Sequence, residues 1–112
     1  MTAYNVQAAQ VDIIVTEGDT INMTFSVTEN DVAYDMTGMT IEIDVRKNNG
    51  TLIRTFSTTV ASVVITVDQF TIVSVTPFST AGRYKYDVQV TDGTEILTIM
   101  KGNFIVQREV TL

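Results

Sequence analysis

One stretch of the chain alternates polar and apolar side chains without a break: Ala81-Gly82-Arg83-Tyr84-Lys85-Tyr86-Asp87-Val88-Gln89-Val90. Apolar side chains at every second position are typical of a β-strand with one buried face. Because successive side chains of a strand point to opposite faces, the intervening polar residues are predicted to face solvent. The residues predicted to face a core are Tyr84, Tyr86, Val88 and Val90.

The same alternation marks residues 20–28 and 39–46, which are predicted to be further half-buried strands. Thr, Val and Ile make up 46 of the 112 residues, and such β-branched side chains suit a pleated sheet better than a helix. The dipeptides at 49–50 (Asn-Gly) and 92–93 (Asp-Gly) predict two-residue hairpin turns, the first of type I′ with positive φ at both central residues. We predict seven to nine short strands in total.

Two irregularities interrupt this pattern. The apolar residues of 70–72 and 73–75 have opposite parity, which predicts a bulge or a strand that moves between sheets. The Lys-Gly-Asn triplet at 101–103 interrupts the last strand region and is predicted to bend it as a bulge. The segment 76–82 holds the single proline and is predicted to be the longest loop.

These elements predict an all-β fold, an immunoglobulin-like antiparallel β-sandwich of seven to nine strands. The sandwich has no disulfide, because the chain contains no Cys. Residues 81–86 resemble the start of strand F in immunoglobulin domains, where a tyrosine hydroxyl anchors a corner, and Tyr84 takes that position. Residues 1–11 are predicted to form an N-terminal arm or edge strand, and residues 12–112 the immunoglobulin-like domain, in a single domain overall.

The composition leaves little equipment for catalysis. The chain has neither His nor Cys, so it lacks the commonest general base, the commonest metal ligand and the thiol nucleophile. We therefore expect no enzyme activity, no catalytic residue, no cofactor and no metal. Calcium is the alternative that loop carboxylates would support, but no EF-hand spacing is present and a turn-forming role is favoured. The carboxylates concerned are Glu17, Asp19, Asp31 and Asp92.

Net charge is −6, from 7 basic and 13 acidic side chains. This balance argues against a nucleic-acid surface and against an anionic membrane surface. The outward face of 20–28 is uncharged and rich in Thr, so it suits solvent, a neighbouring subunit or a sugar. Sugar sites usually present exposed aromatic rings, for which Tyr4, Tyr34 and Phe78 are the candidates. The favoured interpretation is that each of these three rings plugs the core from a loop.

Four segments form an ordered set of motifs. They are a Glu-Gly-Asp-Thr turn at 17–20, a Tyr-Asp-Met-Thr-Gly turn that opens 34–46, the strand of 81–90 and the Lys-Gly-Asn-Phe-Ile-Val strand of 101–106. With the Glu-Val-Thr that closes the chain, this set resembles small immunoglobulin-like domains of tailed-phage virions, notably the N-terminal domain of baseplate upper proteins. The resemblance spans 17–111 and implies fold roles only: turns at Gly18 and Gly38, the corner at Tyr84 and a bend at Gly102.

The resemblance implies a non-enzymatic structural protein of a tailed-phage virion, made in the cytoplasm of the bacterial host. Baseplate upper proteins continue into trimerising or receptor-binding parts, whereas this chain stops at Leu112. We therefore expect first an auxiliary or decoration protein bound to the major capsid protein. The alternative is a tail or baseplate adaptor that binds tail proteins, and a second alternative is a glycan- or host-surface-binding module. No nucleic acid, membrane or small-molecule substrate is expected, and Tyr4 and Val6 are the predicted anchors of a partner interface.

Overall fold

The computed structural model describes residues 9–29 and 31–108. Within these ranges the chain forms eleven strands and no helix, and eight of the strands have four or more residues. The strands are β1 (Ala9–Gln10), β2 (Ile13–Thr16), β3 (Ile21–Ser26), β4 (Thr28–Glu29), β5 (Val32–Ala33), β6 (Thr40–Arg46), β7 (Leu52–Ser57), β8 (Val63–Thr66), β9 (Gln69–Ser74), β10 (Gly82–Thr91) and β11 (Ile96–Gln107).

The strands build two main sheets and a small hairpin, which confirms the predicted all-β sandwich. The larger sheet has the order β1-β11-β10-β6-β7, with β2 also paired to β11. The smaller sheet has the order β3-β9-β8, and β4 pairs with β5 alone. Apolar faces of the two sheets enclose one core, which includes Phe56, Phe70 and Phe104.

The N-terminal strands follow β11 in parallel, whereas the other strand pairs are antiparallel. Gln10 lies opposite Lys101, and Ile13 lies opposite Phe104, so β1 and β2 keep one register along β11. Between them, the Val11 amide donates to the Lys101 carbonyl at 2.9 Å. The two short strands thus form one interrupted line along the edge of the larger sheet.

The alternation that decided the fold is confirmed in β10. Its four predicted core residues are buried, while Arg83 and Lys85 are exposed. In β6 the same period buries Ile41, Ile43 and Val45. Burial of side chains of this kind contributes about 1.5–3 kcal/mol each relative to exposure, so these two strands supply a large part of the driving force for folding.

The predicted tyrosine corner is present. The Tyr84 hydroxyl donates to the main-chain carbonyl oxygen of Thr80 at 3.0 Å, and the Tyr84 side chain is buried. This bond ties the start of β10 to the loop that precedes it. The immunoglobulin corner is therefore retained in a domain that lacks the immunoglobulin cysteines.

Replacing Tyr84 with Phe is expected to lower the free energy of unfolding by about 1 kcal/mol, because the substitution removes the hydroxyl and leaves the Thr80 carbonyl without its partner. Urea denaturation followed by fluorescence measures the change. Thr80→Ala is the matched control, since the acceptor is a main-chain oxygen and survives the substitution. Equal stability of Tyr84→Phe and wild type would contradict the corner.

Both predicted two-residue turns are wrong. Lys47 and Thr51 flank a three-residue loop in which the Gly50 amide donates to the Lys47 carbonyl at 2.9 Å. Gly50 has a φ of +92°, while Asn49 has no positive φ, so a turn with a Gly bulge replaces type I′. In the second hairpin Thr91 pairs with Ile96, so Asp92 and Gly93 are not the two central residues of the turn. The Asp92 amide donates to the Glu95 carbonyl at 3.2 Å, and the Asp92 carboxylate accepts hydrogen bonds from the amides of Thr94 and Glu95.

The predicted bulges are also misplaced. β9 runs as one regular strand in which Val73 pairs with Asn22, so the change of parity after Ile72 marks the end of its buried stretch. β10 and β11 stay paired through 101–103, and their register shifts instead opposite Ile99. Consecutive burial of Ile99 and Met100 fits that shift, because a bulge turns two neighbouring side chains to one face.

Candidate functional site: two sheet faces of different character

The loop carboxylates considered for calcium do not converge. Glu17 and Asp19 lie at the turn after β2, whereas Asp31 and Asp92 lie in two other loops. Within 9–29 and 31–108, no group of three or more His, Cys, Asp or Glu side chains is placed to hold a metal ion. The same ranges contain no helix with the length and hydrophobicity needed to cross a membrane.

Two of the three aromatic candidates plug the core, as the favoured interpretation predicted. Tyr34 is 8% exposed and Phe78 is 4% exposed, although both lie outside the strands. Neither ring is available to stack on a sugar. Tyr4, like the predicted interface residue Val6, lies outside the described residues.

The Arg54 guanidinium packs against the face of the Phe78 ring. The guanidinium carbon of Arg54 lies 3.8 Å from the centre of the Phe78 ring. The same guanidinium donates to the carbonyls of Thr76 and Pro77 at 2.7 and 3.1 Å, and its partial burial lowers the pKa of Arg54. The loop before β10 is therefore anchored by the buried Phe78 ring and by the cation–π contact and hydrogen bonds of Arg54.

The outward face of the smaller sheet carries no charged side chain; we call it the charge-free face. The sequence indicated this for 20–28, and strand pairing extends it across β9 and β8. Thr71 lies at its centre, between Thr24 and Val64. The face consists of Asn22, Thr24, Ser26, Val64, Thr66, Gln69, Thr71 and Val73.

Hydroxyl and amide groups on the charge-free face bond to one another. The Thr24 and Thr71 hydroxyls lie 2.8 Å apart, and the Gln69 amide donates to the Ser26 hydroxyl at 3.2 Å. Val64 remains about half exposed. Such a face has low desolvation cost and suits contact with another protein, since the cores of protein interfaces are depleted of charge.

The outward face of the larger sheet, unlike the charge-free face, carries many charged side chains. We call the part of it that is lined by the two rows below the charged groove. Two rows of side chains cross four strands, because the registers of β6, β10, β11 and the N-terminal line align them. The first row is Arg46, Lys85, Asn103 and Asp12, and the second is Asp44, Asp87, Lys101 and Gln10. They line a cavity of about 430 Å³.

Asp87 is the electrostatically strained member of the charged groove. Its cross-strand partner in β6 is Asp44, another carboxylate. Burial raises the pKa of Asp87, the charge of Asp44 raises it further, and Arg46 partly opposes the shift. Arg46 itself forms a salt bridge with Asp44 at 3.2 Å. Like charges directly opposite each other in a sheet are destabilising.

Asp87→Asn is expected to stabilise the domain at pH 7 by about 0.5 kcal/mol, because it removes one of two facing carboxylates. The raised pKa of Asp87 means that protonation favours the folded state. The stability that protonated Asp87 contributes is therefore present at low pH and is lost as pH rises through the raised pKa. The difference in unfolding free energy between Asp87→Asn and wild type should be near zero below the ordinary Asp pKa. Above that pKa the variant should become the more stable of the two.

Asp92→Asn is the matched control, with the opposite sign. Hydrogen bonds from the Glu95 and Thr94 amides lower the pKa of Asp92, so its contribution is present at neutral pH and lost on acidification. Thermal unfolding between pH 3 and pH 8 should thus find Asp92→Asn less stable than wild type at neutral pH. A loss of stability for Asp87→Asn at pH 7 would contradict the arrangement of the charged groove.

The fold and the tyrosine corner define a small immunoglobulin-like domain. A family model described as the BppU N-terminal domain matches residues 1–110. The chain therefore belongs to the family of baseplate upper protein N-terminal domains. It is a phage structural protein of the tail or baseplate class, located in the virion and in contact with other virion proteins.

Among solved structures, CopC from Methylosinus trichosporium OB3b has 16% sequence identity and a TM-score of 0.48, over 94% of this chain and 90% of that chain. Comparison with curated proteins gives no match.

Proposed function

We propose that this domain attaches to a neighbouring protein of the phage tail or baseplate through its charge-free face. One observation carries the proposal: eight outward positions on three adjacent strands hold no charge, in a chain with 7 basic and 13 acidic side chains. Removing charged groups from water is costly, so an uncharged face is the one that buries most easily. The domain acts in this proposal as a structural connector and not as an enzyme.

The size of the charge-free face implies many weak contacts. The area of the charge-free face is set by three strands about 4.8 Å apart and about 3.3 Å long per residue. That area is smaller than the roughly 800 Å² that each partner buries in a stable interface. A virion presents repeated copies, and linked weak contacts gain strength from multivalency.

Residues 1–11 remain the second predicted contact, with Tyr4 and Val6 as anchors. Deleting residues 1–8, which leaves β1 in place, tests this contribution by particle binding.

Immunogold labelling of intact particles tests the location. Label at the tail tip supports the proposal, and domain absent from purified particles would overturn it. The sequence alone predicts capsid decoration first, whereas the family match favours the tail or baseplate alternative. Label over heads would restore the capsid reading, with the major capsid protein as partner.

Thr71→Lys tests the face itself. A charge at its centre is expected to reduce incorporation into particles at least tenfold, because the lysine must be desolvated on contact. Thr40→Lys is the matched control, since Thr40 is an exposed threonine on the other sheet. Quantitative immunoblotting of purified particles compares the two variants. Equal incorporation of both would exclude the charge-free face as the attachment surface, even where labelling places the domain at the tail.

A further inference from the structure

The charged groove contains polar side chains whose hydrogen-bonding capacity is unused. Asp44 accepts from Arg46 and from the Thr55 hydroxyl, so it is occupied. Within 9–29 and 31–108, the side chains of Lys85, Lys101 and Asn103 make no hydrogen bond or ion pair, and the same holds for Asp87. These four form the centre of the two rows, where Lys85 pairs with Asn103 and Asp87 pairs with Lys101.

The four central groups alternate in hydrogen-bonding type. Lys85 and Lys101 are donors only, Asp87 is an acceptor only, and the Asn103 amide is both. Because Asp87 lies beside Lys85 along β10 and opposite Lys101 across the ladder, each acceptor borders a donor. A ligand that satisfies all of them must itself donate and accept over a short distance.

Ligands of a single charge do not fit this pattern. An anion that binds Lys85 and Lys101 meets Asp87 between them, and Asp44 stands next to Asp87. A cation that binds Asp87 meets the two lysines and Arg46. A neutral polyol meets neither repulsion, because each hydroxyl group donates one hydrogen bond and accepts others.

We propose that the charged groove binds one or two units of a neutral saccharide. Vicinal hydroxyls would donate to the Asp87 carboxylate and accept from Lys85 and Lys101, while the Asn103 amide supplies both functions. The cavity of about 430 Å³ falls within the range of small-ligand sites. This inference is independent of the proposed attachment, since the groove lies on the outer face of the other sheet.

The groove offers no aromatic surface to the sugar. Tyr86 borders it, but the Tyr86 ring is buried and its hydroxyl donates to the Val11 carbonyl at 2.6 Å. Without ring stacking, a single site is expected to bind in the millimolar range. Repeated copies on a particle would raise the effective affinity for a polymeric glycan by multivalency.

Chemical-shift titration of the ¹⁵N-labelled domain tests the proposal. The probes are the methyl glycosides of glucose, galactose, rhamnose and N-acetylglucosamine, each to about 100 mM, well above an expected Kd near 1 mM. Inorganic phosphate is the anion probe. We expect at least one glycoside to give saturable shifts confined to amides around residues 85–87 and 101–103. Lys85→Ala and Lys101→Ala should weaken that binding at least about fivefold each, and Arg83→Ala, an exposed cation outside the groove, should not.

Several results would overturn the saccharide site. One is the lack of saturable shifts with all four glycosides, and another is shifts that survive both lysine substitutions. Shifts with phosphate alone would instead assign an anion site. Each of these outcomes leaves the attachment test with Thr71→Lys unaffected, so failure of one proposal is separable from failure of the other.

Discussion

Gly102→Ala is expected to lower the free energy of unfolding by about 3 kcal/mol. A Cβ atom at residue 102 would lie 2.9 Å from the carbonyl carbon of Val11 and closer still to its oxygen. Both are main-chain atoms, so no rotamer change relieves the clash. The N-terminal line must move away from β11.

That movement also breaks a partly buried hydrogen bond. The Val11 carbonyl accepts from the Tyr86 hydroxyl at 2.6 Å. Burial, and to a lesser degree the charge of Asp12, raises the pKa of Tyr86, so the hydroxyl stays protonated as a donor. Tyr86→Phe removes this bond alone, and we expect it to cost about 1–2 kcal/mol. The difference between the two variants isolates the steric part.

Differential scanning calorimetry measures both variants. At about 4 °C per kcal/mol for a domain of this size, Gly102→Ala should lower Tm by roughly 12 °C. Gln107→Ala, an exposed substitution on the same strand, should stay within about 0.5 kcal/mol of wild type. A Gly102→Ala variant as stable as wild type would show that Val11 does not pass this close to β11.

Phe78→Ala is expected to cost about 3–5 kcal/mol. The Phe78 ring lies 5.1 Å from the centre of the Phe104 ring and 6.4 Å from that of Phe56, so its removal opens a cavity between two core aromatics. It also removes the surface on which the Arg54 guanidinium rests. The loop before β10 would lose its plug, while the Gly18 amide keeps its bond to the main-chain carbonyl of residue 78.

A double-mutant cycle separates packing from the cation–π contact. Phe78→Leu keeps most of the volume, and Arg54→Lys keeps the charge but loses the two-pronged donation to Thr76 and Pro77. We expect a coupling energy of about 0.5–1 kcal/mol between the two sites. Ser79→Ala, an exposed change in the same loop, should be nearly neutral. Additive effects of Phe78→Leu and Arg54→Lys would mean that the stacked cation contributes nothing.

Short sequence patterns correctly predicted the features that depend only on residues close together in the chain, namely the buried strand faces and the tyrosine corner. The buried faces of β6 and β10 follow from a period of two, and the Tyr84 corner follows from a motif of six residues. The hairpin loops were mispredicted because their length is set by strand register. Asn49-Gly50 favours type I′, yet β7 is offset against β6 so that Arg46 pairs with Leu52 and Ile53 is left extra.

The two faces differ in how far sequence could foresee them. The alternation of β3 revealed its uncharged side, although its extension over β8 and β9 required the pairing. The charged groove could not be foreseen, because it joins Asp12 to Asn103 and Arg46 to Lys85 across long separations. Asp44 and Asp87 look like separate solvated residues in the sequence, and only their register makes them face each other.

The parallel pairing of β1 and β2 with β11 has a consequence for how the chain is made. Ala9 leaves the ribosome long before its partner Met100, because β2 to β10 are synthesised between them. The strands β1 and β2 must therefore wait, unpaired, until β11 has emerged. Contacts between segments that are far apart in sequence also slow folding, since a long loop must close first. During that wait the open edge of β11 is free to accept the N-terminal segment of another nascent chain, so polysomes crowded with this protein are where strand exchange between copies would begin.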